Sequence, residues 1–233
     1  MKKFKSYFLV AMLTFASTFC VFAQSEETRQ VSGFHAISSA GPFDVHIKIT
    51  GTESLKLKAN PDIINEIITK VENGNLKIKV KDHDEWERHH IGKVDVYITA
   101  KSLSGLSNAG SGNMKVEGDL SGDKIDFSLS GSGDISSAVK AGDLHISISG
   151  SGSVHLNGHS DKADVSIAGS GEMLGKEFKT NSASISIAGS GNAYLKADKN
   201  ISANIVGSGS VIYSGNATSN ASTIGSGRVR KVD

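Results

Sequence analysis

The chain has almost no cysteine: the single one, Cys20, stands inside an apolar lead. Met1-Lys2-Lys3-Phe4-Lys5 is basic, Tyr7 to Phe22 is apolar apart from a few Ser and Thr, and the run closes on Val21-Phe22-Ala23. These are the features of a secretory signal over residues 1–23, with cleavage expected between Ala23 and Gln24. One rival reading is a retained anchor, for which the run is nearly long enough. The other is a lipid-modified Cys20, against which the bulky Phe19 directly before it argues. Once the signal leaves, no cysteine remains, which excludes disulfides and thiol catalysis.

Charge of one sign is also lacking. The chain has 25 basic and 24 acidic residues, and loss of Lys2, Lys3 and Lys5 leaves 22 against 24. Nucleic-acid binding needs a basic stripe, so no nucleic-acid partner is expected. After the signal no second apolar run is long enough to cross a membrane, so no span is expected there. No Gly-Lys-Ser phosphate loop, zincin motif or nucleophile elbow occurs, and no cofactor is expected.

What the chain does have is glycine around serine. Gly-Ser-Gly starts at residues 110, 131, 150, 169, 189, 207 and 225, at steps of 21, 19, 19, 20, 18 and 18. Two residues before the first glycine stand Leu129, Ile148, Ile167, Ile187 and Ile205. Four before stand Phe127, Ile146, Val165, Ile185 and Ala203, and six before stand Ile125, Leu144, Ala163, Ala183 and Ile201. The intervening residues are polar or small, with Ser107, Ser128, Ser147, Ser166, Ser186, Asn204 and Ser222 three before the glycine. Past the corner the alternation resumes at Ile135, Val154, Met173, Ala193, Val211 and Val229. Strict period two means strands with one buried face.

A period near nineteen made only of strand and turn predicts a β-solenoid, one coil per repeat, with equivalent residues stacked at about 4.8 Å. Glycine at the corner then has two reasons: a positive φ, and crowding between stacked corners that leaves room only for small residues. The serine could hydrogen-bond along the stack. A flexible Gly/Ser linker would not hold isoleucine in register through five repeats. A propeller would need two repeats per blade, and odd and even repeats do not differ.

The N-terminal half reads as the same body with insertions. Ser39-Ala40-Gly41-Pro42 is a degenerate corner before Phe43-Asp44-Val45-His46-Ile47, and alternation continues at Leu55 and Leu57, at Leu76, Ile78 and Val80, and at Val94, Val96 and Ile98. Asn60-Pro61-Asp62 opens a helical stretch expected over residues 61–72, with Asn60 as cap, Pro61 at the first position, and Ile63, Ile64, Ile67, Ile68 and Val71 at helical spacing. Such a helix would cover the open end of the solenoid. The expected organisation is a flexible lead over 24–30 and one solenoid domain of roughly nine or ten coils over 31–233.

With Ala40-Gly41-Pro42-Phe43-Asp44-Val45, the Asn60-Pro61-Asp62 helix and serial Gly-Ser-Gly corners, the chain resembles the head-GIN domain family over residues 31–228. Members are common in Bacteroidetes-type bacteria and are described as "putative autotransporter adhesins". The resemblance implies an all-β, single-stranded right-handed β-helix, a surface or periplasmic location, and an adhesive or binding role.

Three groups of residues are candidates for chemistry. Asp126, His145 and Asp164 stand five before their glycines and would stack on adjacent coils. They could hold a metal or work as acid and base, but a solvated face in which His separates two Asp is the favoured reading. Asp82 to His90 holds His83, His89, His90 and Trp86, the only tryptophan. Three histidines among acids could bind zinc or copper and Trp86 could stack on a sugar; a charged hairpin tip is favoured, and it is the first place to seek a recognition loop. The third group is the outward strip of Ser128, Ser147, Ser166 and Ser186, flattened by Ala109, Ser130, Ser149, Ala168 and Ala188. Either small residues alone fit beside a tight corner, or the strip receives a flat partner: a second copy of the chain, a glycan strand or a matrix protein.

The function expected is that of an exported protein of the periplasm, cell surface or medium that binds through the side of a solenoid and is not an enzyme. The alternatives are a glycan-active lyase or hydrolase on the same scaffold, and a periplasmic structural or envelope-stress protein.

Overall fold

Alternating apolar residues settle into two walls that share one core. The computed structural model describes residues 25–81 and 92–232. The expected signal segment lies outside the described residues. Strand makes up 76% of the structure, arranged as a β-solenoid of about 7 turns with about 19 residues per turn.

The regular body is built from β9 (Met114–Gly131), β10 (Asp134–Gly150), β11 (Ser153–Gly169), β12 (Glu172–Gly189) and β13 (Asn192–Gly207). Each is one coil, parallel to its neighbours and in register with them, so that Ile148 pairs with Leu129 and Ile167, and Ile167 pairs with Ile187. Leu129, Ile148, Ile167 and Ile187 are at most 2% exposed, so the inward face is the one the alternation predicts. Phe43, Phe127 and Phe178 are the largest fully buried side chains of the interior.

The first glycine of each corner has a positive φ, +123° at Gly131 and +121° at Gly150. A Cβ on either would overlap the carbonyl of the corner one coil earlier. The corner serines bond along the stack through the backbone, as when Ser151 N–H donates to the Gly131 carbonyl at 2.9 Å. Their side chains point to solvent.

One wall precedes the corner and one follows it. β2 (Ala36–Ala40), β6 (Asn75–Val80) and β8 (Gly105–Gly110) extend the first, and β3 (Phe43–Ile49) and β7 (Val94–Ala100) extend the second. At the far end the second wall closes with β14 (Ser210–Ser214) and β16 (Arg228–Lys231), and the first with β15 (Thr218–Gly225).

Three expectations need correction. The helix α1 covers only Pro61–Ile64; Ile67–Glu72 is β5, antiparallel to β6 through an Asn73-Gly74 turn. β-branched Ile67, Ile68, Thr69 and Val71 favour strand, and the two-residue Asn-Gly turn with φ of +51° and +75° closes a hairpin. Asn60 receives the Ile63 and Ile64 N–H groups on its backbone carbonyl, without a side-chain cap. The segment expected to be a flexible lead forms β1 (Ser25–Arg29), antiparallel to β4 (Ser54–Ala59), which is itself antiparallel to β7. These antiparallel excursions take up chain that would otherwise form further coils, which is why the turns number about 7 and not nine or ten.

The helix does cover the N-terminal end, together with β1 and β5. Ile63 and Ile64 are buried, and the Arg29 guanidinium donates to the Ile64 carbonyl at 2.8 Å and to that of Ile67. Among the described residues no helix is long and apolar enough to cross a membrane.

Candidate functional site

The serine strip is a continuous register row. Ser107, Ser128, Ser147, Ser166, Ser186, Asn204 and Ser222 are paired coil to coil, and Ser38 of β2 extends the row by pairing with Ser107. Seven steps at about 4.8 Å make a strip roughly 34 Å long. Ser38 could have been found by aligning the Gly41 corner with the others. Along its edge the small residues before the glycine give way to Val206, 56% exposed, and Ile224, 69% exposed, so that edge is flat only up to Ala188.

Beside the strip Asp126, His145 and Asp164 stack in register. His145 Nδ1 lies 3.5 Å from the Asp164 carboxylate, while Asp126 faces Lys124 at 3.4 Å. With Ser147, Ser166, Ser184 and Ser186, His145 and Asp164 line a shallow open depression of about 330 Å³, and Asp126 stands in register with His145 outside that lining. Among the described residues no three His, Cys, Asp or Glu side chains converge as a metal site. The depression offers hydroxyls, one imidazole and one carboxylate to a polar partner. His83, Trp86, His89 and His90 lie outside the described residues.

Sequence reasoning missed the outward row on the wall after the corner. Across that wall Lys56, Tyr97, His46, Lys115, Ser136, His155, Leu174, Tyr194, Ile212 and Arg230 are successive register partners. Tyr97 and Tyr194 are the two tyrosine or phenylalanine side chains among the described residues that are not buried, and both fall on this row. The signal is in the sequence: the residue after each inward position past the corner is Leu174, Tyr194 and Ile212 in successive repeats.

At one end of the row the Tyr97 ring stacks on His46, centroids 4.9 Å apart and planes 16° apart, and the Lys56 ammonium lies 5.5 Å from its centroid. His46 Nε2 is 3.1 Å from Asp95, which also pairs with Lys93 at 3.1 Å. Burial pushes the Asp95 carboxyl up, but the His46 and Lys93 hydrogen bonds outweigh it and hold the group below the usual carboxylate range. Lys48 pairs with Glu117 at 2.9 Å and Lys56 with Glu26 at 3.2 Å, so this end is neutralised locally. At the other end Tyr194 lies under Lys176, 5.6 Å from the ring centroid, in an open groove of about 460 Å³ with Lys196, Ile212 and Arg230.

A family model described as "Putative auto-transporter adhesin, head GIN domain" matches residues 33–217. Among solved structures, a putative adhesin of Bacteroides fragilis is similar at 22% identity and a TM-score of 0.79, covering 90% of this chain and 97% of that one. A putative lipid binding protein of Parabacteroides distasonis is similar at 23% identity and a TM-score of 0.72, with the same coverage of 90% and 97%. A putative adhesin of Parabacteroides merdae is similar at 21% identity and a TM-score of 0.64, covering 90% and 96%. These likenesses establish the fold. Among curated proteins nothing matches.

Proposed function

The chain belongs to the head GIN domain family, and on that premise we propose that it is an exported, non-catalytic, adhesin-like protein that binds along the side of its solenoid. The observation that carries this reading is the filled interior. Phe43, Phe127, Phe178 and the Leu129–Ile187 ladder occupy the core, and the candidate ligand surfaces are open, repeating exterior rows. A repeating face suits an extended or flat partner held by many weak contacts, so avidity grows with ligand length or with clustering on a surface. A glycan, a protein or a second copy of the chain against the serine strip are the partner classes this geometry accommodates.

A glycan-active enzyme is the second reading, favoured by the stacked Asp126, His145 and Asp164. Against it, His145 and Asp164 lie in a shallow open depression and Asp126 stands outside its lining, so no enclosure strengthens an acid–base pair. The test is twofold. Protease shaving of intact cells should remove the protein if it adheres at the surface; full protection would support the periplasmic structural role. A polysaccharide panel assayed for released ends should show no turnover, and turnover lost in Asp126→Asn/Asp164→Asn would replace binding by catalysis.

A further inference from the structure

Resting on the reading that the protein binds through its side, we propose that the groove around Tyr194 on the wall after the corner is a site for a linear anionic saccharide. The floor is apolar and aromatic: Tyr194 and Ile212 stand side by side in register within the groove, Leu174 continues the row beside them, and all three are half-buried. A tyrosine ring presented this way accepts the C–H face of a sugar ring while its edge stays open to hydroxyls.

The charge on the groove decides the class of sugar. Lys176, Lys196 and Arg230 line it against one acid, Glu177, which Lys196 engages at 3.2 Å. Lys176 and Arg230 form no ion pair among the described residues. At the Tyr97 end of the same row, by contrast, Lys48, Lys56 and Lys93 each have a carboxylate partner. The unmatched cations at Tyr194 therefore call for an anion beside the stacked ring, which is the combination a uronate or sulfated sugar carries. The row runs along the solenoid axis at about 4.8 Å per strand, so a chain lying along it reaches successive side chains and, after roughly 29 Å, the Tyr97 platform.

A membrane surface fits less well. The groove is recessed and contains Glu177, while the protruding apolar residues Val206 and Ile224 lie on the other wall. Insertion into lipid would use protruding side chains.

Calorimetric titration of the protein with polygalacturonate, trigalacturonate, neutral dextran and phosphatidylglycerol vesicles tests this. Polygalacturonate should bind, more tightly than trigalacturonate, and dextran should not. Tyr194→Ala should weaken binding about tenfold, Tyr194→Phe should match the parent, and Lys176→Ala/Arg230→Ala should weaken it similarly and flatten its salt dependence. Circular dichroism of each variant confirms the fold. Binding lost in Ser147→Arg/Ser166→Arg but kept in Tyr194→Ala would overturn the site and leave side-binding standing. So would adhesion by cells carrying the protein with no polygalacturonate binding. Vesicle binding through Tyr194 without polygalacturonate binding would replace the saccharide by lipid. Absence of both adhesion and any binding would remove the underlying reading as well.

Discussion

Replacing Ile167 by alanine removes three carbons from a side chain that is 1% exposed and held in register between Ile148 and Ile187. At about 0.8 kcal/mol per buried carbon, the transfer loss alone is about 2.4 kcal/mol. The neighbours are pinned at strand spacing by the parallel ladder, so the site collapses poorly and a cavity term brings the total to about 4 kcal/mol. For a body of this size that is a fall in Tm of roughly 8–16 °C. Ile167→Val should cost about 1 kcal/mol, and Ser166→Ala, on the opposite face, less than about 0.5 kcal/mol. Thermal melts followed by far-UV circular dichroism read all three, with Ile167→Asp and Ser166→Asp as the sharper pair. Aspartate at 167 places an unpaired charge in the core, while at 166 it points to solvent. Equal losses at the two positions would mean the register is off by one residue and the inward and outward faces are exchanged.

Gly131→Ala should lower the melting temperature far more than Gly122→Ala, because a Cβ at 131 overlaps the Gly110 carbonyl at a φ of +123°, while at 122 its nearest neighbour is Lys124 O at 3.8 Å. Glu53 is held below the usual carboxylate range by Lys101 and by the Gly33 and Phe34 N–H groups. Its stabilisation is therefore present above the unfolded value near ~4.3 and lost as pH falls, and Glu53→Gln should flatten the acid limb of an unfolding curve. Glu72, pulled to about 2 by Lys70 and Lys77, loses its contribution in the same direction; with the side chain 38% exposed, that contribution should shrink with salt. Arg29→Ala should speed amide hydrogen exchange in β1 and β5 and leave exchange at Ile167 unchanged, since Arg29 ties only the N-terminal end.

Where the repeat is strict, the sequence carried the structure down to register. The Leu129–Ile187 ladder, the glycine corners and the Asp126–His145–Asp164 stack all stand where the alternation places them. It failed between residues 65 and 72, where two signals competed. Ile63, Ile64, Ile67 and Ile68 satisfy helical spacing, but the same isoleucines are β-branched, and only the Asn73-Gly74 turn reveals that the second pair belongs to a hairpin. Ser39 and Asn108 hide in a different way: both are polar and both are buried on the inward face, in register with Leu129. The Asn108 side-chain amide donates to the Gly112 carbonyl at 2.6 Å, a partner that period-two reasoning cannot foresee. The tyrosine row was legible in principle. What hides it is that Tyr97 and Tyr194 are 97 residues apart and meet in one row only after the antiparallel excursions return the chain to the wall.

The two ends of the solenoid meet the same hazard in different ways. An open parallel edge invites further strands. At the N-terminal end the direction of the chain reverses: β1 and β5 run antiparallel to their neighbours, α1 fills the gap with Ile63 and Ile64, and Arg29 ties the pieces together. At the other end the direction is kept and the chemistry changes. β15 places Ser219, Ala221 and Thr223 where β13 has Ile201, Ala203 and Ile205, and β16 sets Arg228, Arg230 and Lys231 along its edge. The inward ladder of this wall thus turns small and polar in the last described coil, which removes the apolar face another coil would bury. Charged edge residues oppose edge-to-edge pairing for the same reason. Stacking through either end is disfavoured by these two devices, and the long register rows on the sides are left as the surface on which a partner can gain area.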